Sequence, residues 1–174
     1  MVQVGQKAPE FSSEAYVKGE IKKISLGDFK GKWIVLFFYP RDFTFVCPTE
    51  LQGFAAAESE FEKKNAVVIA ASTDSAFSHK AWFGKDLPNV KYPILADTSH
   101  NISRDYGVLL EENGAALRGT FIIDPNGILQ YHVVSNLNVG RSVQETLRVL
   151  QACQSGDLCP LEWSPGKKTL GKAK

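Results

Sequence analysis

"WIVLFFYPRDFTFVCPTELQGFAAAESEFEKKNAVVIAAST", residues 33–73, contains two apolar runs separated by an amphipathic segment. Residues 33–39 are continuously apolar and rich in aromatic and branched side chains, which predicts a strand buried on both faces of a sheet. Residues 49–64 place apolar side chains at helical spacings, and residues 66–73 form the second buried strand. Two parallel strands joined by a helix form a βαβ unit, so this stretch predicts an α/β fold.

The rest of the chain continues this alternation of strands and helices. The turn "DPNG" at residues 124–127 is typical of a hairpin, and Ser75 or Asp74 can cap the helix that follows the second strand. We predict a helix over 75–86, a strand within 91–97, a short helix over 99–107, a hairpin over 118–134 and a helix over 142–153. Parallel βαβ units followed by an antiparallel hairpin predict a thioredoxin-like fold, with a central mixed β-sheet flanked by helices.

Additions to this core are expected at both ends of the chain. After about residue 155 the sequence is rich in Gly, Pro and Lys, and we expect an extended, mobile tail there. The predicted organisation is one thioredoxin-like domain over residues 1–155, which includes an N-terminal extension, and a C-terminal tail over residues 156–174.

Composition and charge narrow the class of protein. The 174 residues are 44% hydrophobic and 22% charged, which is ordinary for a single globular domain. The net charge of +1 gives no electrostatic reason to expect a nucleic acid or an anionic membrane as partner. No apolar run approaches the roughly 18 residues of a membrane span, and the N-terminus lacks the pattern of a signal peptide. We therefore expect a cytoplasmic protein.

The three cysteines are Cys47, Cys153 and Cys159. An odd, low number does not fit the disulfide framework of a small secreted protein. No pair forms Cys-x-x-Cys and the chain has only three histidines, so a zinc site is not expected.

Cys47 lies where the first buried strand gives way to a helix. Pro48 is tolerated in a first helical turn, and it therefore places Cys47 at the N-cap or in that turn. The positive end of the helix dipole and its free N–H groups favour a thiolate, which is the nucleophilic form of cysteine. The alternative is that Cys47 is only a small buried hydrophobic side chain. This local context favours a reactive thiol.

Glu50 stands where a thioredoxin-type dithiol would have its second cysteine. A disulfide partner for Cys47 must therefore come from far away in the sequence. Cys153 lies on the last predicted helix, where a packing role is the simpler interpretation. Cys159 lies in the tail, from which a thiol could travel to a partner.

Four segments resemble one family. "FYPRDFTFVCPTE" (38–50) contains Pro40, Thr44 and Cys47 in the order Pro-x-x-x-Thr-x-x-Cys and resembles the active-site signature of the peroxiredoxins. The other three are similar to the typical two-cysteine subgroup, which includes the bacterial alkyl hydroperoxide reductase C component: "LRGTFIIDPNGILQ" (117–130), "VGRSVQETLRVLQA" (139–152) and "GDLCPLEW" (156–163). The likeness runs from about Val4 to Trp163.

The resemblance implies a thiol-dependent reduction of hydroperoxides, with Cys47 as the nucleophile that becomes a sulfenic acid. It also implies that the reaction needs neither a metal nor an organic cofactor. It implies that Thr44 hydrogen-bonds the peroxide and the sulfur, and that Pro40 limits water access. Arg118 is implied to stabilise the thiolate and the charge that develops across the O–O bond. From the residues alone, Thr44 could simply cap a helix, Pro40 could end a strand and Arg118 could be a charge at a sheet edge.

The resemblance also implies the supporting residues and the partners. Glu50 and Arg141 match positions that hold the arginine network in place. Cys159, supplied by the partner subunit, is implied to form the intersubunit disulfide, which thioredoxin or a dedicated disulfide reductase would open. The implied assembly is a homodimer, with five dimers forming a decamer, and the implied role is antioxidant defence and redox homeostasis.

Two other functions remain open at this point. One is a thioredoxin-like holdase chaperone, which would bind unfolded proteins through exposed apolar surface. The other is a disulfide oxidoreductase that acts on proteins, and Glu50 at the position of a second thiol weighs against it.

Overall fold

The computed structural model describes residues 2–172. Three parallel strands form the centre of a seven-stranded sheet: β3 (Trp33–Phe38), β4 (Ala66–Ser72) and β5 (Ile94–Ala96). Strand β3 is buried on both faces, as predicted, because its alternate side chains enter two different layers. The ring of Phe37 stacks at 4.4 Å on Phe54 of a helix, whereas the ring of Phe38 lies 5.7 Å from Phe121.

Each outer strand of the sheet pairs antiparallel with its neighbours. On one side, β1 (Ser12–Val17) pairs with β5 and with β2 (Glu20–Ser25), and a 3-10 turn follows at Leu26–Phe29. On the other side, β8 (Arg118–Ile123) pairs with β3, and β9 (Leu129–Ser135) pairs with β8. A separate two-stranded sheet, β6 (Leu109–Leu110) and β7 (Ala115–Ala116), precedes them in the chain.

The full strand order is β2-β1-β5-β4-β3-β8-β9. This order confirms the predicted thioredoxin-like fold with a central mixed sheet. The N-terminal extension contains the β1–β2 hairpin, which the sequence interpretation did not identify. The predicted hairpin over residues 118–134 is confirmed as β8 and β9, and Gly127 adopts the positive φ of 78° that its turn requires.

The helices lie at the predicted positions, but the first of them differs from the prediction in its start and in its continuity. The predicted helix over 49–64 is two helices, α1 (Cys47–Ala56) and α2 (Glu58–Glu62), because Ala57 opens the backbone to φ −98° and ψ 2°. Helix α1 begins two residues earlier than predicted, with Pro48 in its first turn. The remaining helices are α3 (Ala76–Asp86), which is capped by Ser75, α4 (Asn101–Asp105) and α5 (Val143–Ser155). Within residues 2–172, no helix combines the length and the apolar character of a membrane span.

The chain divides into two compact units, Met1–Arg141 and Ser142–Lys174. Helix α5 therefore groups with the C-terminal segment, whereas the predicted boundary after residue 155 stays a prediction. The C-terminal segment has no helix or strand up to residue 172, but it folds back on itself rather than running extended.

Hydrogen bonds inside the C-terminal unit explain this turn of the chain. The N–H groups of Leu158 and Leu170 donate to the carbonyls of Gly171 and Leu158, both at 2.8 Å. The indole of Trp163 is buried and donates to the Lys167 carbonyl at 3.0 Å. The composition of this segment did not show that one tryptophan could order it, and its mobility stays a prediction.

Candidate active site

Cys47 is the first residue of α1, as the position of Pro48 predicted. The chain leaves β3 at Phe38 and crosses a short loop before it enters the helix. This places the sulfur at the carboxyl end of a parallel strand, where sites in open α/β sheets are found. The Cys47 side chain is fully buried, so no solvent reaches its thiol in this conformation.

Arg118 is the charged group that contacts this sulfur. Its Nη1 atom lies 3.5 Å from the Cys47 Sγ atom, and its Nε atom donates to the Leu137 carbonyl at 2.8 Å. Arg118 is the first residue of β8, which pairs directly with β3, and the sheet therefore carries the guanidinium to the end of α1. The residue is only 4% exposed. A permanent cation held in this way can stabilise negative charge on the sulfur or on a bound substrate.

Glu50 joins Arg118 to a second arginine. The Glu50 Oε2 atom accepts from Arg118 Nη1 at 2.6 Å, and the Oε1 atom accepts from Arg141 Nε at 2.8 Å and from the Arg141 backbone N–H at 3.0 Å. Burial alone would raise the pKa of Glu50, but hydrogen bonds from Arg141 and the charges of both arginines outweigh it, so the pKa of this carboxyl is lowered. Glu50 therefore stays ionised although it is 5% exposed.

Arg141 is fixed by the ends of two strands. Its Nη2 atom donates to the Phe38 carbonyl at 2.7 Å, its Nη1 atom donates to the Gly119 carbonyl at 2.9 Å, and its guanidinium lies 4.8 Å from the centre of the Phe37 ring. Two guanidinium groups (+2) and one carboxylate (−1) leave this buried cluster with one net positive charge. One negative charge on the sulfur or on a bound substrate would make the cluster electrically neutral.

Pro40 and Thr44 lie in the loop between β3 and α1. Pro40 is buried directly after the strand, and Thr44 is half-buried, with its hydroxyl donating to the Arg41 carbonyl at 3.0 Å. Among the hydrogen bonds of residues 2–172, this one ties Thr44 to the loop and none joins it to the Cys47 sulfur. The structure thus brings Cys47 together with both arginines and Glu50, whereas the roles of Pro40 and Thr44 stay predictions.

A second buried polar group holds this loop, and the sequence interpretation missed it. Asp42 accepts from the hydroxyl groups of Tyr39 at 2.6 Å and Ser78 at 2.7 Å, and its Oδ2 atom lies 2.8 Å from His79 Nδ1. Burial, followed by the charge of Asp42, raises the pKa of Tyr39 well above its ordinary range. No local spacing links Asp42 to helix α3, so only the fold reveals this anchor of the segment before Cys47.

The other two cysteines lie in the unit Ser142–Lys174. The Cys159 sulfur is 3.5 Å from the Ser155 hydroxyl and 3.9 Å from the Ala152 carbonyl, and both Cys153 and Cys159 are free thiols. Burial, followed by the charge of Cys159, raises the pKa of Cys153. Among the described residues, no three His, Cys, Asp or Glu side chains are placed to hold a metal ion.

Known proteins are similar to this chain in sequence and in fold. Residues 4–132 match the AhpC/TSA family. Peroxiredoxin prdx-2 of Caenorhabditis elegans is 52% identical over 96% of this chain and 88% of its own, and thioredoxin peroxidase of Echinococcus granulosus is 49% identical over 96% and 91%. The crystal structure of the reduced 2-Cys peroxiredoxin of Plasmodium vivax superimposes with a TM-score of 0.92 at 39% identity, over 95% of this chain and 91% of its own. The chain therefore belongs to the AhpC/TSA family and is a typical two-cysteine peroxiredoxin, a thiol-dependent peroxidase.

Proposed function

We propose that Cys47 reduces hydrogen peroxide and organic hydroperoxides by direct nucleophilic attack. The thiolate bonds to one peroxide oxygen, the O–O bond breaks, and the other oxygen takes up a proton and leaves as water or an alcohol. Cys47 is then a sulfenic acid. The observation that carries this proposal is the 3.5 Å approach of Arg118 Nη1 to the Cys47 sulfur inside a buried cluster with a net positive charge.

Three further residues complete the proposed reaction site. Arg118 stabilises the charge that spreads over the two oxygens while their bond breaks, and it does so without reorganisation because Glu50 and Leu137 already fix its guanidinium. Thr44 would turn its hydroxyl from the Arg41 carbonyl to the peroxide. Pro40, buried beside the strand end, would limit the access of water.

We propose that Cys159 of the partner subunit resolves the sulfenic acid. Its thiolate attacks the Cys47 sulfur and hydroxide leaves as water, which gives an intersubunit Cys47–Cys159 disulfide. Because Cys47 is fully buried, the first turn of α1 must open before another sulfur can approach to the roughly 2.05 Å of an S–S bond. Thioredoxin, which the name of the E. granulosus relative mentions, or a dedicated disulfide reductase would then reduce the disulfide in the cytoplasm.

We propose a homodimer that assembles further into a decamer. Two surface features support contacts between copies of the chain. Phe43 and Phe77 are 61% and 72% exposed, and exposed aromatic side chains can supply apolar contacts between protein chains. Strand β9 is the last strand of the sheet in the described residues and exposes Val133 and Val134. Light scattering would measure the mass directly, and a monomer at all concentrations would contradict both this assembly and an intersubunit disulfide.

One set of cysteine variants tests the catalytic proposal. Wild type, Cys47→Ser, Cys153→Ser and Cys159→Ser receive one equivalent of peroxide and are separated by electrophoresis without reductant. In samples quenched in acid directly after the peroxide is added, wild type and Cys153→Ser should show a disulfide-linked dimer, whereas the other two variants should not. Cys47→Ser should also lose peroxide consumption. An efficient dimer band in Cys159→Ser would show that Cys153 is the resolving thiol and that our assignment is wrong.

A further inference from the structure

Cys153 and Cys159 lie within six residues of each other at the end of α5. The helix ends at Ser155, and Gly156 reverses the chain with a positive φ of 61°. Because of this reversal, the Cys159 sulfur lies 3.9 Å from the Ala152 carbonyl. That carbonyl is part of the peptide bond between Ala152 and Cys153. The two thiols are therefore neighbours within one compact unit.

The surrounding bonds hold Cys159 in this position. The Leu158 N–H donates to the Gly171 carbonyl at 2.8 Å, and the Lys172 ammonium bonds to the carbonyls of Ser155 and Gly156 at the helix end. Both thiols are free and only partly buried. Neither the peroxide attack nor the first resolution step uses Cys153, although it is the thiol of the same subunit that lies beside the resolving sulfur.

We propose that Cys153 takes over the disulfide from Cys47 after resolution. The Cys153 thiolate attacks the Cys159 sulfur of the intersubunit disulfide, the Cys153–Cys159 bond forms within one subunit, and the Cys47–Cys159 bond breaks. Cys47 leaves as a thiolate, and the proton lost by Cys153 passes to solvent. The step exchanges one disulfide for another, so it needs no added oxidant or reductant. It rests on the function proposed above.

The charges around the three sulfurs favour this direction. Once Cys47 leaves, it can return to the buried end of α1, where the Arg118 Nη1 atom lies 3.5 Å from its sulfur and can stabilise negative charge on it. Burial and, second, the charge of Cys159 raise the pKa of Cys153 in the reduced protein. Once Cys159 is in a disulfide it has no charge, so the second of these causes disappears when Cys153 must act. Burial remains, and the exchange should therefore become faster as the pH rises.

The exchange would change which disulfide the reductant meets. Cys47 would return to the peroxide site as a thiolate while the oxidising equivalents stay on the C-terminal unit. The two subunits would no longer be linked covalently. A reductant would then act on an intrachain disulfide between two half-exposed residues instead of one that involves the buried Cys47.

Peptide mass mapping can detect the intrachain disulfide directly. Wild-type protein receives one equivalent of hydrogen peroxide at pH 7 and pH 8.5, samples are quenched in acid at successive times, and free thiols are alkylated. Trypsin cuts after Arg148 and Lys167, so residues 149–167 form one peptide that contains both Cys153 and Cys159. The intrachain disulfide makes this peptide lighter by two hydrogens than its dithiol form and leaves it without an alkyl group. The expected course is a Cys47-linked peptide that gives way to the internal disulfide, faster at pH 8.5.

Three variants separate the possible results. Cys153→Ser should keep the Cys47-linked peptide at all times, and Cys47→Ser should give no internal disulfide. The control Ser164→Ala, which lies in the same tryptic peptide, should behave as wild type. If Cys153 of the wild type is fully alkylated at all times while Cys47 stays linked to Cys159, the proposed exchange is wrong and the proposed function is unaffected. Formation of the internal disulfide in Cys47→Ser at the wild-type rate also overturns it. A wild type in which Cys47 forms no disulfide contradicts the proposed function itself.

Discussion

Replacing Glu50 with Gln should destabilise the protein because it removes the carboxylate that bridges two buried guanidinium groups. In the native cluster, Oε1 accepts from the backbone N–H and Nε of Arg141, while Oε2 accepts from Arg118 Nη1 and Arg141 Nη2. An amide has one oxygen and one NH2 group. Whichever way Gln is placed, its NH2 group faces two N–H donors that have lost their acceptor.

The size of the effect follows from the burial of the arginines. The side chains of Arg118 and Arg141 are 4% and 6% exposed, so water cannot replace the lost carboxylate. Removing one member of a buried ion pair costs about 3–5 kcal/mol, because a buried charge is left without compensation. For a chain of this length, that loss corresponds to a fall in the melting temperature of roughly 6–20 °C.

Thermal and urea unfolding of wild type and Glu50→Gln at pH 7 measure this loss. The matched control is Glu111→Gln, which removes a carboxylate with equally short bonds to Arg104, 2.7 and 3.1 Å, but at an exposed position. The control should change the free energy of unfolding far less, because water solvates the freed charge. A Glu50→Gln loss below about 1 kcal/mol, or one equal to that of Glu111→Gln, would refute the role of burial.

The pH dependence gives a second measure of the same interaction. The pKa of Glu50 is lower in the native state than its ordinary value of 4.5, so its stabilisation is present above that value and is lost as the pH falls through the native pKa. The stability difference between wild type and Glu50→Gln should therefore shrink below pH 4.5. A constant difference down to pH 3 would show that the ionised carboxylate is not its source.

Three other substitutions test separate parts of the structure. Arg118→Lys keeps the positive charge but loses the planar donor fork, and steady-state kinetics should show kcat/KM reduced by roughly 10²–10³, with the same fold by circular dichroism. Gly119→Ala would place a methyl group 2.6 Å from Val108 Cγ1, and urea unfolding should show a loss of about 1–3 kcal/mol. Ser142→Ala removes the hydroxyl that accepts from the Glu145 N–H at 3.1 Å, and the same measurement should show a loss of about 1 kcal/mol.

The sequence predicted the strands that are apolar and buried along almost their whole length. Strands β3 and β4 are almost wholly apolar, and their pattern is clear without knowledge of their neighbours. Strands β1 and β2 were missed because their sequences, "SSEAYV" and "EIKKIS", are mixed and partly exposed. The pairing of β1 with β5, across about 80 residues of sequence, helps to define that hairpin, and local patterns do not contain such information.

The position of Cys47 could be predicted from the local sequence, whereas the contacts of its distant partners could not. Pro48 fixed the start of α1, so the position of Cys47 followed from local chemistry. Arg118 and Arg141 are 71 and 91 residues from the side chains that they contact, and from the residues alone Arg118 had a simpler interpretation as an edge charge. The antiparallel pairing of β8 with β3 is what brings Arg118 to the end of α1. Asp42 was missed for the same reason, because it lies in a loop and its partner His79 lies on helix α3, 37 residues away.

The charge of the cluster also connects the two halves of the proposed cycle. With a Cys47 thiolate, the two arginines and Glu50 would form a neutral group that is almost fully buried, in which no charge lacks an opposite charge. Attack on a peroxide converts the thiolate into a neutral sulfenic acid, so one positive charge is left without compensation in the same buried space. Burying an unpaired charge is unfavourable, and water can reach the cluster only if the first turn of α1 opens. In the proposed cycle, oxidation of Cys47 would therefore weaken the conformation that buries it, and the opening would allow the proposed resolving thiol, Cys159, to approach.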